Sequence, residues 1–177
     1  MKKTKNILIY VLSIILIAII VCVVSLACIK KDFNYDFNSP EKIKVGVNGT
    51  EYAVTNKDIE NKIMELYNDS FKTSVLSALF SGKAFDNTVF NEGYNNISSI
   101  SSSGYWLILS YGANKQDVKE NTSFNTKVYD TIYVQVLNSN EFTTITAYLV
   151  NNSSSYYKYT TYASQSNLYS YLNEVFA

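Results

Sequence analysis

The stretch that decides the fold is residues 43–54, which read IKVGVNGTEYAV. Apolar and polar side chains alternate on both sides of Asn48-Gly49, as in a strand with one buried face. An Asn-Gly pair favours a type I′ turn, because that turn needs positive φ at both central positions. The stretch therefore predicts a β-hairpin with a two-residue loop. The predicted cross-strand pairs are Val47 with Thr50, Val45 with Tyr52, and Ile43 with Val54.

A helix is predicted directly after the hairpin. Thr55 can cap the helix by accepting a hydrogen bond from the Asp58 N–H. The Asp58 side chain can in turn accept one from the Thr55 N–H, which is the capping-box arrangement. Apolar residues then recur every three or four positions as far as Phe80, and Gly82 supplies a stop. The polar residues 68–70 leave open whether this stretch is one helix or two.

The second half of the chain predicts an antiparallel sheet and a last helix. Residues 83–104 are polar and serine-rich and predict a long loop. Short turn-forming connections then separate strand-like runs and predict a meander, and Ser166 can cap a final amphipathic helix ending near Phe176. The predicted strands are Tyr105–Tyr111, Val128–Leu137, Phe142–Val150 and Tyr156–Tyr162. The predicted fold class is α+β, with the hairpin, one or two helices, a meander of about four strands and a C-terminal helix.

Residue parity divides these strands into two faces. The aliphatic face comprises Val128, Ile132, Val134, Val136, Ile145, Ala147 and Leu149. The opposite parity, which we call the tyrosine face, comprises Tyr129, Thr131, Tyr133, Gln135, Thr144, Thr146, Tyr148, Tyr156, Lys158, Thr160 and Tyr162. We expect the helices to cover the aliphatic face and leave the tyrosine face towards solvent or a partner.

The N-terminus predicts a membrane span. Residues Ile7 to Ile29 form a run of 23 without a charge. A helix of that length covers about 34 Å, which exceeds a hydrocarbon core of roughly 30 Å. The predicted organisation is an anchor or signal over residues 1–29, a tether over 30–42, at most about 40 Å long, and an exported α+β domain over 43–177.

Processing of the leader has three possible outcomes. An uncleaved anchor is favoured, because the 18 apolar residues from Ile7 to Val24 exceed the roughly 7 to 15 of a signal peptide. Cleavage after Ala27 and lipidation of Cys28 are the alternatives. Lysines flank the run on both sides and do not settle the orientation. A short N-terminal arm before one span and a long domain favours export of the C-terminal domain.

Composition excludes several chemistries. The 177 residues contain no His and no Arg, so His-dependent triads, imidazole metal ligands and bidentate arginine contacts are impossible. After the run there are 12 lysines and 15 acidic residues, a net charge of about −3 without a basic cluster, which argues against nucleic-acid binding. Both cysteines lie in the run, so the domain has none. Abundant Lys, Asn, Ile and Tyr without Arg are typical of an AT-rich bacterial genome.

The remaining catalytic and metal motifs are weak. Two S-x-x-K matches, Ser39 to Lys42 and Ser155 to Lys158, lack the other elements of serine-lysine enzymes. No pair of carboxylates stands out for glycoside hydrolysis. The oxygen ligands that alternate from Asp32 to Asn38 fail the EF-hand pattern, since Phe37 replaces the required Gly. We therefore predict no catalytic residue, no metal ligand and no cofactor.

The tyrosine face is the remaining functional candidate. Its tyrosines Tyr129, Tyr133, Tyr148, Tyr156 and Tyr162 fit ordinary strand residues, because Tyr and Thr are good strand formers. The functional alternative is a binding face, since tyrosines offer rigid contact area with a hydroxyl and suit a protein, peptide or carbohydrate.

Two resemblances add to this interpretation. The stretch from Val47 to Ile59, together with Tyr156-Tyr157-Lys158-Tyr159 and Leu168 to Leu172, resembles small α+β domains of membrane-attached Gram-positive lipoproteins of unknown function. These motifs are structural and transfer no functional residue. The layout of one span before a helix-and-sheet domain is similar to anchored scaffold domains of conjugation and secretion machines. The predicted function is a membrane-anchored extracytoplasmic binding domain without catalytic activity; the alternative is a structural scaffold subunit of an envelope assembly.

Overall fold

The computed structural model describes residues 2–33, 39–82, 89–91, 102–112, 116–119, 126–151 and 155–177. They fall into two compact units, residues 1–32 with 73–86, and residues 33–72 with 87–177. In chain order the elements are α1 (Lys2–Cys28), β1 (Lys30–Asp32), β2 (Lys42–Val47), β3 (Thr50–Ala53), α2 (Lys57–Ser70), β4 (Lys72–Ser74), α3 (Val75–Phe80), β5 (Val89–Asn91), β6 (Tyr105–Ser110), β7 (Gln116–Lys119), β8 (Thr126–Tyr129), β9 (Thr131–Val136), β10 (Thr143–Asn151), β11 (Ser155–Ala163) and α4 (Ser166–Phe176).

The first unit is built on α1. Its apolar part, Ile9–Cys28, is long and apolar enough to cross a membrane, and none of that stretch is buried. A signal sequence would satisfy the same criterion of length and composition. β1 pairs with β4, and α3 contacts α1.

The second unit is an antiparallel sheet with helices. Its strand order is β3-β2-β6-β9-β10-β11-β5, and β7 and β8 form a separate two-stranded ribbon. The predicted α+β class is confirmed, and the meander of β9, β10 and β11 has the expected antiparallel connections. β6 lies between the N-terminal hairpin and the meander, which makes one sheet of the two halves of the domain.

The hairpin forms as predicted. Asn48 and Gly49 both have positive φ, 48° and 87°. Val47 pairs with Thr50 and Val45 pairs with Tyr52. The Asn48 side chain accepts a hydrogen bond from the Gly104 N–H at 3.0 Å, so the turn also fixes the chain just before β6. Local turn chemistry therefore determines the register of the first two strands.

The helix boundaries differ from the prediction. Asn56, not Thr55, caps α2, because its Oδ1 accepts from the Asp58 N–H at 2.9 Å. The helical stretch is divided at β4, where Ser74 caps α3 through the Ser77 N–H. α4 begins at Ser166, whose N–H donates to the Ser139 carbonyl, so Ser166 is not the cap. A backbone carbonyl from elsewhere in the fold takes the place of the predicted side-chain cap.

The segment predicted as a tether also differs. It contains β1, and Phe33 is 7% exposed. The Phe33 N–H donates to the Phe71 carbonyl at 3.1 Å, and the Phe33 carbonyl accepts from the Thr161 hydroxyl at 2.8 Å. The second unit therefore starts ten residues before the predicted start at Ile43. The burial of Phe33 could not be predicted from sequence periodicity, because one residue held by long-range contacts does not produce a repeating apolar pattern.

The predicted loop 83–104 and the predicted strand Val128–Leu137 both differ from the structure. β5, within the predicted loop 83–104, pairs with β11; residues 83–88 and 92–101 lie outside the described residues. The predicted strand Val128–Leu137 divides at Asp130 into β8 and β9. The Asp130 N–H donates to the Val150 carbonyl, and its carbonyl accepts from the Tyr111 N–H. At Asp130 the chain passes from the ribbon of β7 and β8 into the large sheet.

The core lies on the aliphatic face, as parity predicts. Ile132, Val134, Val136, Ile145, Ala147 and Leu149 are all buried, whereas the side chain of Val128 lies outside the described part. α4 packs on this side of the sheet: the Tyr105 and Tyr169 rings are 5.1 Å apart, and Leu168 and Leu172 are fully buried. Each fully buried aliphatic side chain contributes about 1.5–3 kcal/mol, so this interface is the main source of stability.

We predict that Gly49→Ala lowers the free energy of unfolding by about 1–2 kcal/mol, the cost of a side chain in the left-handed conformation. Space is not the cause, because a Cβ there would lie 3.5 Å from the Ser102 carbonyl oxygen, an ordinary contact. Urea unfolding of the full chain in detergent, followed by fluorescence of the single tryptophan, Trp106, measures the change. Thr50→Ala, exposed in the same hairpin, is the control; equal losses in both variants would contradict the explanation.

Candidate functional site

The candidate site is a row of side chains across the tyrosine face. Lys44, Ile108, Tyr133, Tyr148 and Lys158 are successive cross-strand partners in β2, β6, β9, β10 and β11. Direct partners in antiparallel strands project to the same face, about 5 Å apart. We call these five residues the central row. It places two tyrosines side by side between two lysines.

Aromatic contacts extend the central row. The Trp106 ring lies 6.0 Å from the Tyr148 ring at an interplanar angle of 44°. The Trp106 indole N–H donates to the Ser103 carbonyl at 2.8 Å, which fixes the ring. Trp106 and Ile108 are buried, whereas Tyr133 and Tyr148 are half-buried. The row therefore has a rigid apolar base with two partly accessible phenol rings.

One end of the row carries an ion pair. Lys44 Nζ lies 2.9 Å from Glu51 Oε2, and both side chains are about two-fifths exposed, at 45% and 38%. The hydrogen bond that Lys44 donates to Glu51 and the negative charge of that carboxylate raise the pKa of Lys44. An exposed pair of this kind contributes about 1 kcal/mol or less to stability. Its larger effect is to place a fixed positive and a fixed negative charge beside the tyrosines.

The same charges act on Tyr133. Burial raises the pKa of Tyr133, and the negative charges of Glu51 and Asp130 raise it further, whereas Lys44 opposes them. All the causes but one favour the neutral phenol. Tyr133 therefore remains a hydroxyl that can donate and accept hydrogen bonds throughout the neutral pH range.

The five predicted tyrosines do not form one cluster. Tyr133 and Tyr148 are adjacent in the row. Tyr162 instead packs its ring against Phe33 and Phe142, at 6.0 and 6.2 Å. Tyr156 is the backbone partner of Val150, and its side chain lies outside the described part.

Tyr129 requires a correction. It was predicted on the tyrosine face, but it is 2% exposed and belongs to β8, outside the large sheet. The cause is the division of the strand at Asp130, which parity along a continuous strand cannot foresee.

Sequence reasoning missed three contributors to the site. Trp106 and Ile108 lie in a strand whose apolar and polar residues do not alternate, so parity could not assign their face. Lys44 was assigned to the face of the hairpin opposite Val45, but its neighbour on the adjacent strand was not predicted. The parity of Lys44 was correct, but its row with Tyr133 depends on the pairing of β2 with β6, in which Lys44 and its partner Ile108 are 64 residues apart in the chain. Only knowledge of that pairing could have added them.

The predicted membrane-span residues lie in or next to α1. Ile7, Ala27 and Cys28 belong to α1, and the Ile29 N–H donates to the Ser25 carbonyl at 3.0 Å, which continues the helical hydrogen bonding by one residue. Cys22 and Cys28 are both free and exposed. The two serines of the apolar part, Ser13 and Ser25, each donate to the carbonyl four residues earlier, so their hydroxyls need no other partner in an apolar medium.

The described residues contain no group of three or more acidic or cysteine side chains that could hold a metal ion. In α2, Glu60, Glu65 and Asp69 are each paired with a lysine three residues away, as expected of a solvated helix face. Ser155 and Lys158 both lie in β11.

Comparison with protein families, curated proteins and solved structures finds no match to this chain. The resemblance to lipoprotein domains therefore remains a prediction, and the site must be interpreted from its own geometry.

We predict that Glu51→Gln lowers the pKa of Tyr133 relative to the unmodified protein, because the substitution removes a negative charge that disfavours the phenolate. The shift should shrink in high salt, since Glu51 is partly exposed. NMR of tyrosines labelled at the ring Cζ, followed through the alkaline range, measures it, and Tyr133→Phe assigns the resonance. An unchanged or higher pKa in Glu51→Gln would show that Glu51 does not act on this phenol.

Proposed function

We propose that this protein is a single-span, membrane-anchored domain displayed outside the cytoplasm that acts by non-covalent binding through the tyrosine face. The observation that carries the proposal is the central row, in which Tyr133 and Tyr148 lie between Lys44 and Lys158 on one face of the sheet. The opposite face is covered by α4, so the two faces have different roles in the fold.

The chemistry of the row favours a ligand with flat apolar surfaces and hydrogen-bonding groups. Aromatic rings fixed by packing lose little entropy on binding, and phenol hydroxyls supply directional contacts. A peptide, a protein surface or a carbohydrate has these properties. The domain needs no cofactor for such binding, and we propose no catalytic activity for it.

The anchor part of the proposal rests on α1. An apolar helix of this length that leaves its surface exposed in the folded chain needs an apolar medium around it. We propose the orientation with the N-terminus inside, which places the domain outside the cytoplasm. Cleavage after Ala27 or lipidation of Cys28 would place the same domain on the same side of the membrane.

A structural scaffold subunit is the alternative function. Its contacts would run through α1 and the outer faces of the helices, whereas a binding domain would use the tyrosine face. The two hypotheses therefore predict contacts at different residues.

We predict that a photo-crosslinking amino acid at position 148 or 133 forms adducts in living cells, whereas the same group at position 52 does not. Tyr52 is a suitable control because it is 44% exposed and belongs to the other face of the sheet. Gel shifts and mass spectrometry identify the adducts. Adducts confined to other copies of the chain, formed from positions on α1 and α2, would support the scaffold instead, and equal labelling at 52, 133 and 148 would contradict a specific face.

We predict that the intact mass of the mature protein equals that of the full sequence, about 20.0 kDa, or differs only at the initiating Met. This is the mass of an uncut anchor. Mass spectrometry of the membrane fraction measures it, with Cys28→Ser as the control. A lighter product that begins at Cys28, carries added lipid and disappears in Cys28→Ser would show the lipoprotein route, and a product starting at Cys28 without lipid would show a cleaved signal.

A further inference from the structure

The short helix α3 belongs to the same compact unit as α1. Its first N–H, from Val75, donates to the carbonyl of Ile29 at 2.9 Å, and the two helices contact each other. Leu26 is less exposed than the other α1 residues whose side chains the structure describes, and Ala78 of α3 is fully buried. α3 therefore lies beside the C-terminal end of the apolar helix.

The side of α3 away from these contacts is strongly apolar. Phe80 is 86% exposed and Leu79 is 41% exposed. A phenylalanine left in water loses about 1.5–3 kcal/mol relative to a buried one. In the described part of the second unit, the exposed large apolar side chains are Tyr52 at 44% and Val175 at 38%, about half the exposure of Phe80. The exposed pair at the end of α3 therefore needs an explanation.

The sequence around α3 is suited to an apolar medium. No charged residue occurs from Thr73 to Gly82, and a lysine flanks this stretch on each side, Lys72 and Lys83.

The ends of α3 satisfy their own polar groups. At the start, the Ser74 hydroxyl accepts from the Ser77 N–H at 3.0 Å. At the end, the Ser81 hydroxyl donates to the Ala78 carbonyl at 3.0 Å, and the Gly82 N–H donates to the Leu79 carbonyl at 3.1 Å. Backbone groups must be paired in this way wherever water is scarce, because an unpaired group there costs several kcal/mol.

From these observations we infer that α3 inserts into the bilayer interface next to the outer end of α1, with Leu79 and Phe80 among the lipid chains. The occupant is lipid, because α3 contacts α1 within one unit, and the apolar part of α1 is exposed and long enough to span a bilayer. The inference rests on the membrane anchor of the proposed function and is independent of the tyrosine face.

The test measures the depth of residue 80 in a bilayer. The full chain with Cys22→Ser and Cys28→Ser receives a nitroxide at one new cysteine, Phe80→Cys, Ile15→Cys or Asn61→Cys, and is placed in nanodiscs of phosphatidylcholine and phosphatidylglycerol. Power saturation compares access of oxygen, which concentrates in lipid, with access of a water-soluble nickel chelate. We expect the oxygen-to-nickel ratio at position 80 to exceed that at position 61 several-fold and to approach that at position 15.

The outcomes separate the inference from the anchor. A high ratio at position 15 with equal ratios at 80 and 61 overturns the inference and leaves the anchor intact. A low ratio at position 15 shows that α1 does not span the bilayer and overturns both. Strong spin–spin broadening at position 80 that disappears at one chain per disc shows that a second copy covers Phe80, which also overturns the inference. Unchanged Trp106 emission confirms that each labelled chain is folded.

Discussion

The pairing of β6 with both β2 and β9 is the constraint on which the domain depends. β6 is hydrogen-bonded along both edges, and its residues from Tyr105 to Leu109 are buried on both faces. It joins a hairpin formed by local turn chemistry to a meander formed 80 residues later in the chain. Such non-local pairing carries a large loop-closure cost, so the apolar run YWLIL is the part of the sequence that compensates for it.

β6 supplies apolar side chains to both faces of the sheet. Every partner row that crosses β6 from Tyr105 to Leu109 contains one of these side chains, and the difference between the faces comes from the neighbouring strands. Leu107 and Leu109 fall in rows with Val45 and Ile132 on the aliphatic face. Trp106 and Ile108 fall in rows of the tyrosine face, where Ile108 is the partner of Tyr133 and the Trp106 ring lies 6.0 Å from the Tyr148 ring. A fully buried strand thus supports both the core and the candidate site.

Features with local causes could be predicted from the sequence. The Asn48-Gly49 turn, the parity of β9 and β10 and the length of α1 follow from turn chemistry, alternation and hydropathy, and the structure agrees with them. Features with long-range causes could not. The break at Asp130 depends on hydrogen bonds to Val150 and Tyr111.

The burial of Phe33 has a similar long-range cause, since it depends on Phe71 and Thr161. The same limit applies to the site: parity placed Tyr133 and Tyr148 on one face, but their neighbours Trp106 and Lys44 become visible only through the pairing of β6. Tyr129 was assigned to the wrong face because parity was extended across the strand break at Asp130.

Composition limits how the tyrosine face can recognise a ligand. The chain has no histidine, the side chain whose ordinary pKa lies nearest neutrality, and the pKa of Tyr133 is raised away from it. The pKa of Lys44 is also raised, by its hydrogen bond to Glu51 and the charge of that carboxylate. Tyr133 therefore stays neutral and Lys44 stays charged across the neutral range. The specificity of the face must come from the spacing of the rings, the hydroxyls and the Lys44–Glu51 pair, which the sheet register fixes.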